Sequence, residues 1–148
     1  MGACFNLGLS YKNGKGVEKN VTKAASLFSR ACDGGGMEAC SHLGLFFSLG
    51  TGVAKDPARA AVLFAKACEH DEAGGCFNLG VAYANGEAVV ADTARAAVFY
   101  AKACERNNAP ACFNLGRLYA DGNGVAKDVA KAAALFARAC EGGVKQGC

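Results

Sequence analysis

Residues 111–140 read Ala-Cys-Phe-Asn-Leu-Gly-Arg-Leu-Tyr-Ala-Asp-Gly-Asn-Gly-Val-Ala-Lys-Asp-Val-Ala-Lys-Ala-Ala-Ala-Leu-Phe-Ala-Arg-Ala-Cys, and the same pattern occurs three more times upstream. Two cysteine series mark the register. One runs Cys4, Cys40, Cys76, Cys112, Cys148 and the other Cys32, Cys68, Cys104, Cys140, both in steps of 36 residues. Leu7-Gly8, Leu43-Gly44, Leu79-Gly80 and Leu115-Gly116 keep the same step, as do Tyr11, Phe47, Tyr83 and Tyr119. With one position of slack, so do Phe28, Phe64, Phe99 with Tyr100, and Phe136. Self-similarity at a period of this length is the mark of a stacked-repeat architecture.

Each unit divides into two helical segments. In the first, the leucine, glycine and aromatic share one helical face, and in the second, alanines and an aromatic recur at helical spacing. A glycine-rich turn separates them, as in Asn13-Gly14-Lys15-Gly16-Val17, Gly50-Thr51-Gly52-Val53 and Gly122-Asn123-Gly124-Val125, while the third unit has Gly86-Glu87-Ala88-Val89. Asn20, Asp56, Asp92 and Asp128 are N-caps for the second helices. Pro57 follows its cap directly, and Pro110 suits the first turn after a cap at Asn107 or Asn108. The helix pairs expected are 3–13 with 21–33, 37–49 with 57–69, 73–85 with 93–105, and 109–121 with 129–141. Helices of this length are marginal alone, so neighbouring hairpins must stack. The fold expected is an all-α, α/α solenoid. It forms one repeat domain over 1–148 with units at about 1–36, 37–72, 73–108 and 109–144, and 145–148 opening a truncated further repeat. Gly8 and its equivalents, with paired alanines such as Ala24-Ala25 and Ala60-Ala61, would let facing helices approach closely.

Composition narrows the function classes. The chain has 148 residues, 52% hydrophobic and 20% charged, as globular domains do. A net charge of +3 with both signs interspersed does not suit a nucleic-acid partner. Charged or amide residues interrupt every apolar stretch before it reaches the ~20 residues of a membrane span. The N-terminus lacks the basic head and apolar middle of a secretion signal. Its Met1-Gly2 opening is not an acylation site, because the sixth position holds Asn6 instead of Ser or Thr. The chain opens directly in a helix and stops at Cys148 without obvious polar caps, which is expected of part of a longer array.

The motif Ala-Cys-Phe-Asn-Leu-Gly-x-x-Tyr-x-x-Gly-x-Gly-Val-x-x-Asp-x-x-Lys-Ala-Ala-x-x-Phe-x-x-Ala-Cys resembles the Sel-one-like repeat, a relative of the tetratricopeptide repeat, over nearly the whole chain. The paired cysteines in each unit make it similar to the Helicobacter cysteine-rich proteins within that family, a secreted or periplasmic bacterial group. A disulfide-bearing assembly factor of the mitochondrial intermembrane space is similar too. The resemblance implies a right-handed superhelix and a protein-interaction role. For the cysteine-rich branch it also implies a penicillin-binding or β-lactamase label.

Two cysteine pairings are compatible with the helix hairpins. One crosses the turn between units, Cys32–Cys40, Cys68–Cys76, Cys104–Cys112 and Cys140–Cys148, and leaves Cys4 over. The other lies inside the units, Cys4–Cys32 through Cys112–Cys140, and leaves Cys148 over. The family resemblance implies the first. No Cys-x-x-Cys occurs, and His42 and His70 do not recur, so no metal or cofactor is expected. Cys4 has no conspicuous base near it in sequence and is expected to be a structural cysteine without a partner.

A serine hydrolase of the β-lactamase type needs Ser-x-x-Lys, and none is present; Ser-Asp-Asn and Lys-Thr-Gly are missing as well. Neither His-x-His nor His-Glu-x-x-His occurs. No catalytic residue is therefore assigned. The recurring acids Asp33, Glu69, Glu105 and Glu141 and bases Lys23, Arg59, Arg95 and Lys131 are expected on solvated helix faces. Some of the acids, being at unfavourable helix C-termini, are expected to pair with nearby bases.

With Leu7 and Tyr11 on the buried side, rotation by about 100° per residue puts the sixth, ninth and thirteenth positions opposite. In stacked hairpins that side lines the concave surface. The rows are Asn6, Leu9, Asn13; His42, Leu45, Leu49; Asn78, Val81, Asn85; and Asn114, Arg117, Asp121. Asparagine amides both donate and accept, which suits the backbone of an extended peptide, although they equally suit capping or cross-linking of neighbouring helices. The family resemblance implies the peptide groove. Phe46 and Leu49 are expected to make the surface around His42 more apolar, with His42 a satisfied surface histidine or a pH sensor. Phe5, Phe77 and Phe113 are expected to pack between repeats. The functional expectation is a monomeric scaffold for a protein or extended peptide. The alternatives are a β-lactam-binding protein or weak β-lactamase, and a redox or assembly factor. Eight paired cysteines point to an oxidising compartment, periplasmic or secreted, with the intermembrane space as the alternative.

Overall fold

The computed structural model describes residues 2–148, and among them the chain winds into eight α-helices and a terminal 3-10 turn, with no strand. Met1, which opens the first repeat and the acylation pattern, lies outside the described residues. The first helices of the hairpins are α1 (Gly2–Asn13), α3 (Met37–Leu49), α5 (Ala73–Asn85) and α7 (Ala109–Asp121). The second helices are α2 (Val21–Asp33), α4 (Pro57–Glu69), α6 (Thr93–Glu105) and α8 (Val129–Glu141), with the 3-10 turn at Lys145–Gly147. Only α1 departs from the expected spans, starting one residue earlier.

The helix ends follow from short-range chemistry. Asn20, Asp56, Asp92 and Asp128 each accept the backbone N–H three residues on, at 3.0–3.1 Å. Such a cap is typically worth about 1 kcal/mol. Asn108 caps α7 the same way through Ala111 N–H at 3.0 Å, with Pro110 in its first turn. The helix α5 is capped differently, by Glu72, whose carboxylate accepts Gly74 N–H at 3.0 Å and Gly75 N–H at 2.6 Å. The first helices stop at Gly50, Gly86 and Gly122 in the left-handed conformation (φ 70°, 70° and 66°).

Within each hairpin the glycine of the first helix sits under the aromatic ring of the second. A Cβ at Gly8, Gly44, Gly80 or Gly116 would fall 2.5–2.8 Å from Phe28, Phe64, Tyr100 or Phe136. Ala24, Ala60, Ala96 and Ala132 are buried beside them. Successive hairpins stack, α2 on α3, α4 on α5 and α6 on α7, so the four repeats form a single all-α solenoid.

Four disulfides join the repeats across the turns, Cys32–Cys40, Cys68–Cys76, Cys104–Cys112 and Cys140–Cys148, with Cα separations of 4.7, 4.5, 4.7 and 5.0 Å. Cys4 is the free cysteine, half-buried on α1. The pairing inside the units does not form.

Several local expectations are corrected. Leu43, Leu79 and Leu115 are buried, but Leu7 is 43% exposed, because among the described residues no hairpin precedes α1 to cover it. Phe77 and Phe113 pack on rings of their own repeats, 6.0 and 5.5 Å from Tyr100 and Phe136, whereas Phe5 packs both on Phe28 of its own repeat at 5.8 Å and, as expected, on His42 of the next at 5.3 Å. Phe46 is buried and adds nothing to the surface near His42. Lys23, Arg59, Arg95 and Lys131 do more than face solvent: each stacks on the aromatic of its own first helix, Tyr11, Phe47, Tyr83 or Tyr119, at 4.7–5.5 Å from the ring centroid. The ring quadrupole attracts the cation, and the long side chain covers the aromatic face. Asp33, Glu69, Glu105 and Glu141 do not pair with bases. Among the described residues the ion pairs are Arg95–Asp92, Lys102–Asp71 and Arg106–Asp71.

Candidate functional site: the inner groove

The helix α3 packs directly on α5, along the row of first helices. Two hollows open there and meet at Val81. The first, about 210 Å³, lies between α3, α4 and α5 and is lined by Leu45, Phe64, Asn78, Val81 and the alanines Ala60 and Ala61. The second, about 380 Å³, lies between α5, α6 and α7 and is lined by Val81, Asn85, Tyr100, Asn114, Arg117 and Asp121.

Of the residues expected on the concave face, Asn78, Asn85, Asn114, Arg117 and Asp121 thus come together around the two hollows with Leu45 and Val81. Asn78, Val81 and Asn114 are half-buried. Asn6, Asn13, His42 and Leu49 do not join them. Asn6 and Asn13 are exposed on α1. The His42 ring is held by Phe5 and Phe28, each 5.3 Å away, and its Nδ1 lies 3.0 Å from the Glu38 carbonyl oxygen. Leu49 is exposed at the end of α3.

The residue that sequence reasoning missed is Tyr100. Its signal was present, since the matching positions hold Phe28, Phe64 and Phe136, and the one hydroxyl among them falls where the second hollow becomes polar. Tyr100 is 4% exposed. Burial raises its phenol pKa above the ordinary 10.0, against the smaller opposing pull of the Asn114 amide and the Arg117 charge. The phenol therefore stays protonated at neutral pH and keeps an O–H to donate. The two hollows together present the amides of Asn78, Asn85 and Asn114, a phenol and a guanidinium beside Leu45 and Val81. Among the described residues no three His, Cys, Asp or Glu side chains gather as the ligands of a metal would. No helix among them is long and apolar enough to cross a membrane.

The family model described as the Sel1 repeat matches at residues 2–36, 38–72, 73–108 and 109–144. No curated protein matches the chain. Among solved structures, a protective antigen of uropathogenic Escherichia coli with an SLR fold is 32% identical, with a TM-score of 0.91 over 99% of this chain and 31% of that one. A Sel1 repeat protein from Oxalobacter formigenes is 30% identical, with a TM-score of 0.92 over 99% of this chain and 60% of that one. Cysteine-rich protein B of Helicobacter pylori is 32% identical, with a TM-score of 0.70 over 92% of this chain and 98% of that one. The chain thus spans about a third of the length of the first relative and three fifths of the second.

Proposed function

The chain belongs to the Sel1 repeat family, and we propose that it is a non-enzymatic scaffold that holds an extended segment of another protein in the groove across α3, α5 and α7. Sel1 repeats are in general protein-interaction modules. The observation that carries the reading here is the continuity of the two hollows at Val81, with Asn78 and Asn114 half-buried one repeat apart along them. Amides at that interval offer a donor and an acceptor to successive stretches of an extended backbone. The disulfides between repeats fix the spacing of the hairpins in advance, which lowers the ordering cost of binding. Those bridges belong to an oxidising, extracytoplasmic location. The reading places the protein in the periplasm or outside the cell, as a monomer.

The test is selection of peptides from a random display library on the oxidised protein, followed by affinity measurement on Asn78→Ala with Asn114→Ala. The expected result is a loss of at least tenfold in affinity for the selected peptides. Unchanged affinity for all of them would exclude the groove.

A further inference from the structure

Resting on that reading, we propose that the junction of the third and fourth repeats is a carboxylate subsite, which takes an Asp or Glu side chain of the bound segment. The repeat register makes the case. On the first helices the inner row reads Leu9, Leu45, Val81 and then Arg117, and on the second helices the facing ring reads Phe28, Phe64, Tyr100 and Phe136. The two departures from the apolar series meet in one hollow, which Asn114 also lines. Hydroxyl, amide and guanidinium are three donor groups converging on one space.

Asp121, one turn along the same helix, lines the same hollow, but among the described residues no carboxylate lies within 4.0 Å of an Arg117 nitrogen. The phenol stays protonated at neutral pH and has an O–H to donate there. At the preceding junction the corresponding places hold Val81 and Phe64, and the charged group in the lining there is Glu87. Charge complementarity therefore assigns an acid to the hollow that holds Arg117 and not to the one that holds Glu87.

The experiment uses the oxidised full chain. Peptides selected from a random display library are resynthesised with each acid as its amide, Asp→Asn or Glu→Gln, and titrated against the wild type and Tyr100→Phe with Arg117→Leu. Both substitutions restore residues that other repeats carry at those places, and circular dichroism checks that the fold is kept. The wild type is expected to prefer the acid roughly tenfold or more, the range of a hydrogen bond to a charged group. The preference should shrink with salt and vanish in the double variant. Peptides that depend on Asn78 and Asn114 but are indifferent to the acid, or whose acid preference survives the double variant, would overturn the subsite and leave the groove standing. A library that yields no peptide dependent on Asn78 and Asn114 would overturn both.

Discussion

The Ser41 hydroxyl on α3 donates to the carboxylate of Glu72, the group that caps α5. One hydrogen bond thereby ties the first helix of the second repeat to the start of the first helix of the third. Ser41 stands where the other repeats hold Phe5, Phe77 and Phe113, so a packing residue is here exchanged for a polar clasp. Ser41 is nearly buried and has its partner. Replacing Glu72 with alanine strips the cap and leaves the hydroxyl without it. The expected loss is about 1–3 kcal/mol in urea denaturation. Ser41→Ala and Glu72→Ala together should lose less than the sum of the single losses, and full additivity would show that the two residues act independently.

The glycine beneath each ring sets how closely the hairpins close. Gly80→Leu has to push Tyr100 aside, since even a Cβ there would stand 2.7 Å from the ring. A loss of roughly 1–3 kcal/mol is expected on thermal unfolding. A stability equal to wild type would mean that the ring swings away freely.

The third repeat offers the opposite test. Its turn holds Ala88 at φ 59°, where the equivalent Gly16, Gly52 and Gly124 sit at 77°, 68° and 75°. A side chain in that conformation is strained by roughly 1–2 kcal/mol, part of which glycine returns through a freer unfolded chain. Ala88→Gly should therefore stabilise the protein by about 0.5–1 kcal/mol in denaturant titration. A destabilised variant would contradict the strain.

The 36-residue period makes the helices, caps and turns legible in the sequence alone, because repetition shows which residues are obligatory at each place in the unit. What it concealed were contacts made by residues that depart from the repeat or that look merely solvated. Glu72 is an unusual N-cap, and nothing in the local pattern announces it. The stacking of Lys23 on Tyr11 and of its three counterparts was legible in principle: a base always follows the aromatic by twelve residues, but only the folded hairpin shows that a loop brings them together. The groove was half legible. Helical rotation found the row Asn78, Val81, Asn114 and Arg117, yet the same rule counted Asn6, Asn13 and His42, which line neither of the two hollows. Tyr100 was overlooked because it lies on the second helix and enters the groove from behind.

The cysteines give a chemical prediction. Alkylation of the native oxidised protein should label Cys4 alone of the nine cysteines, and peptide mapping should return bridges eight residues apart. Each bridge contributes about 2–4 kcal/mol, so reduction should lower the unfolding temperature well beyond the effect of any single substitution above. Extensive labelling elsewhere would remove both the staple and the inference of an oxidising compartment.

The inner groove as binding surface is tested most directly by nuclear magnetic resonance mapping of the isotope-labelled chain against peptides selected on the wild type without any prior filter. Shifts should concentrate at Leu45, Asn78, Val81, Asn114 and Arg117. Shifts confined to the exposed valines of the second helices, Val62 and Val98, with the inner row unmoved, would contradict it.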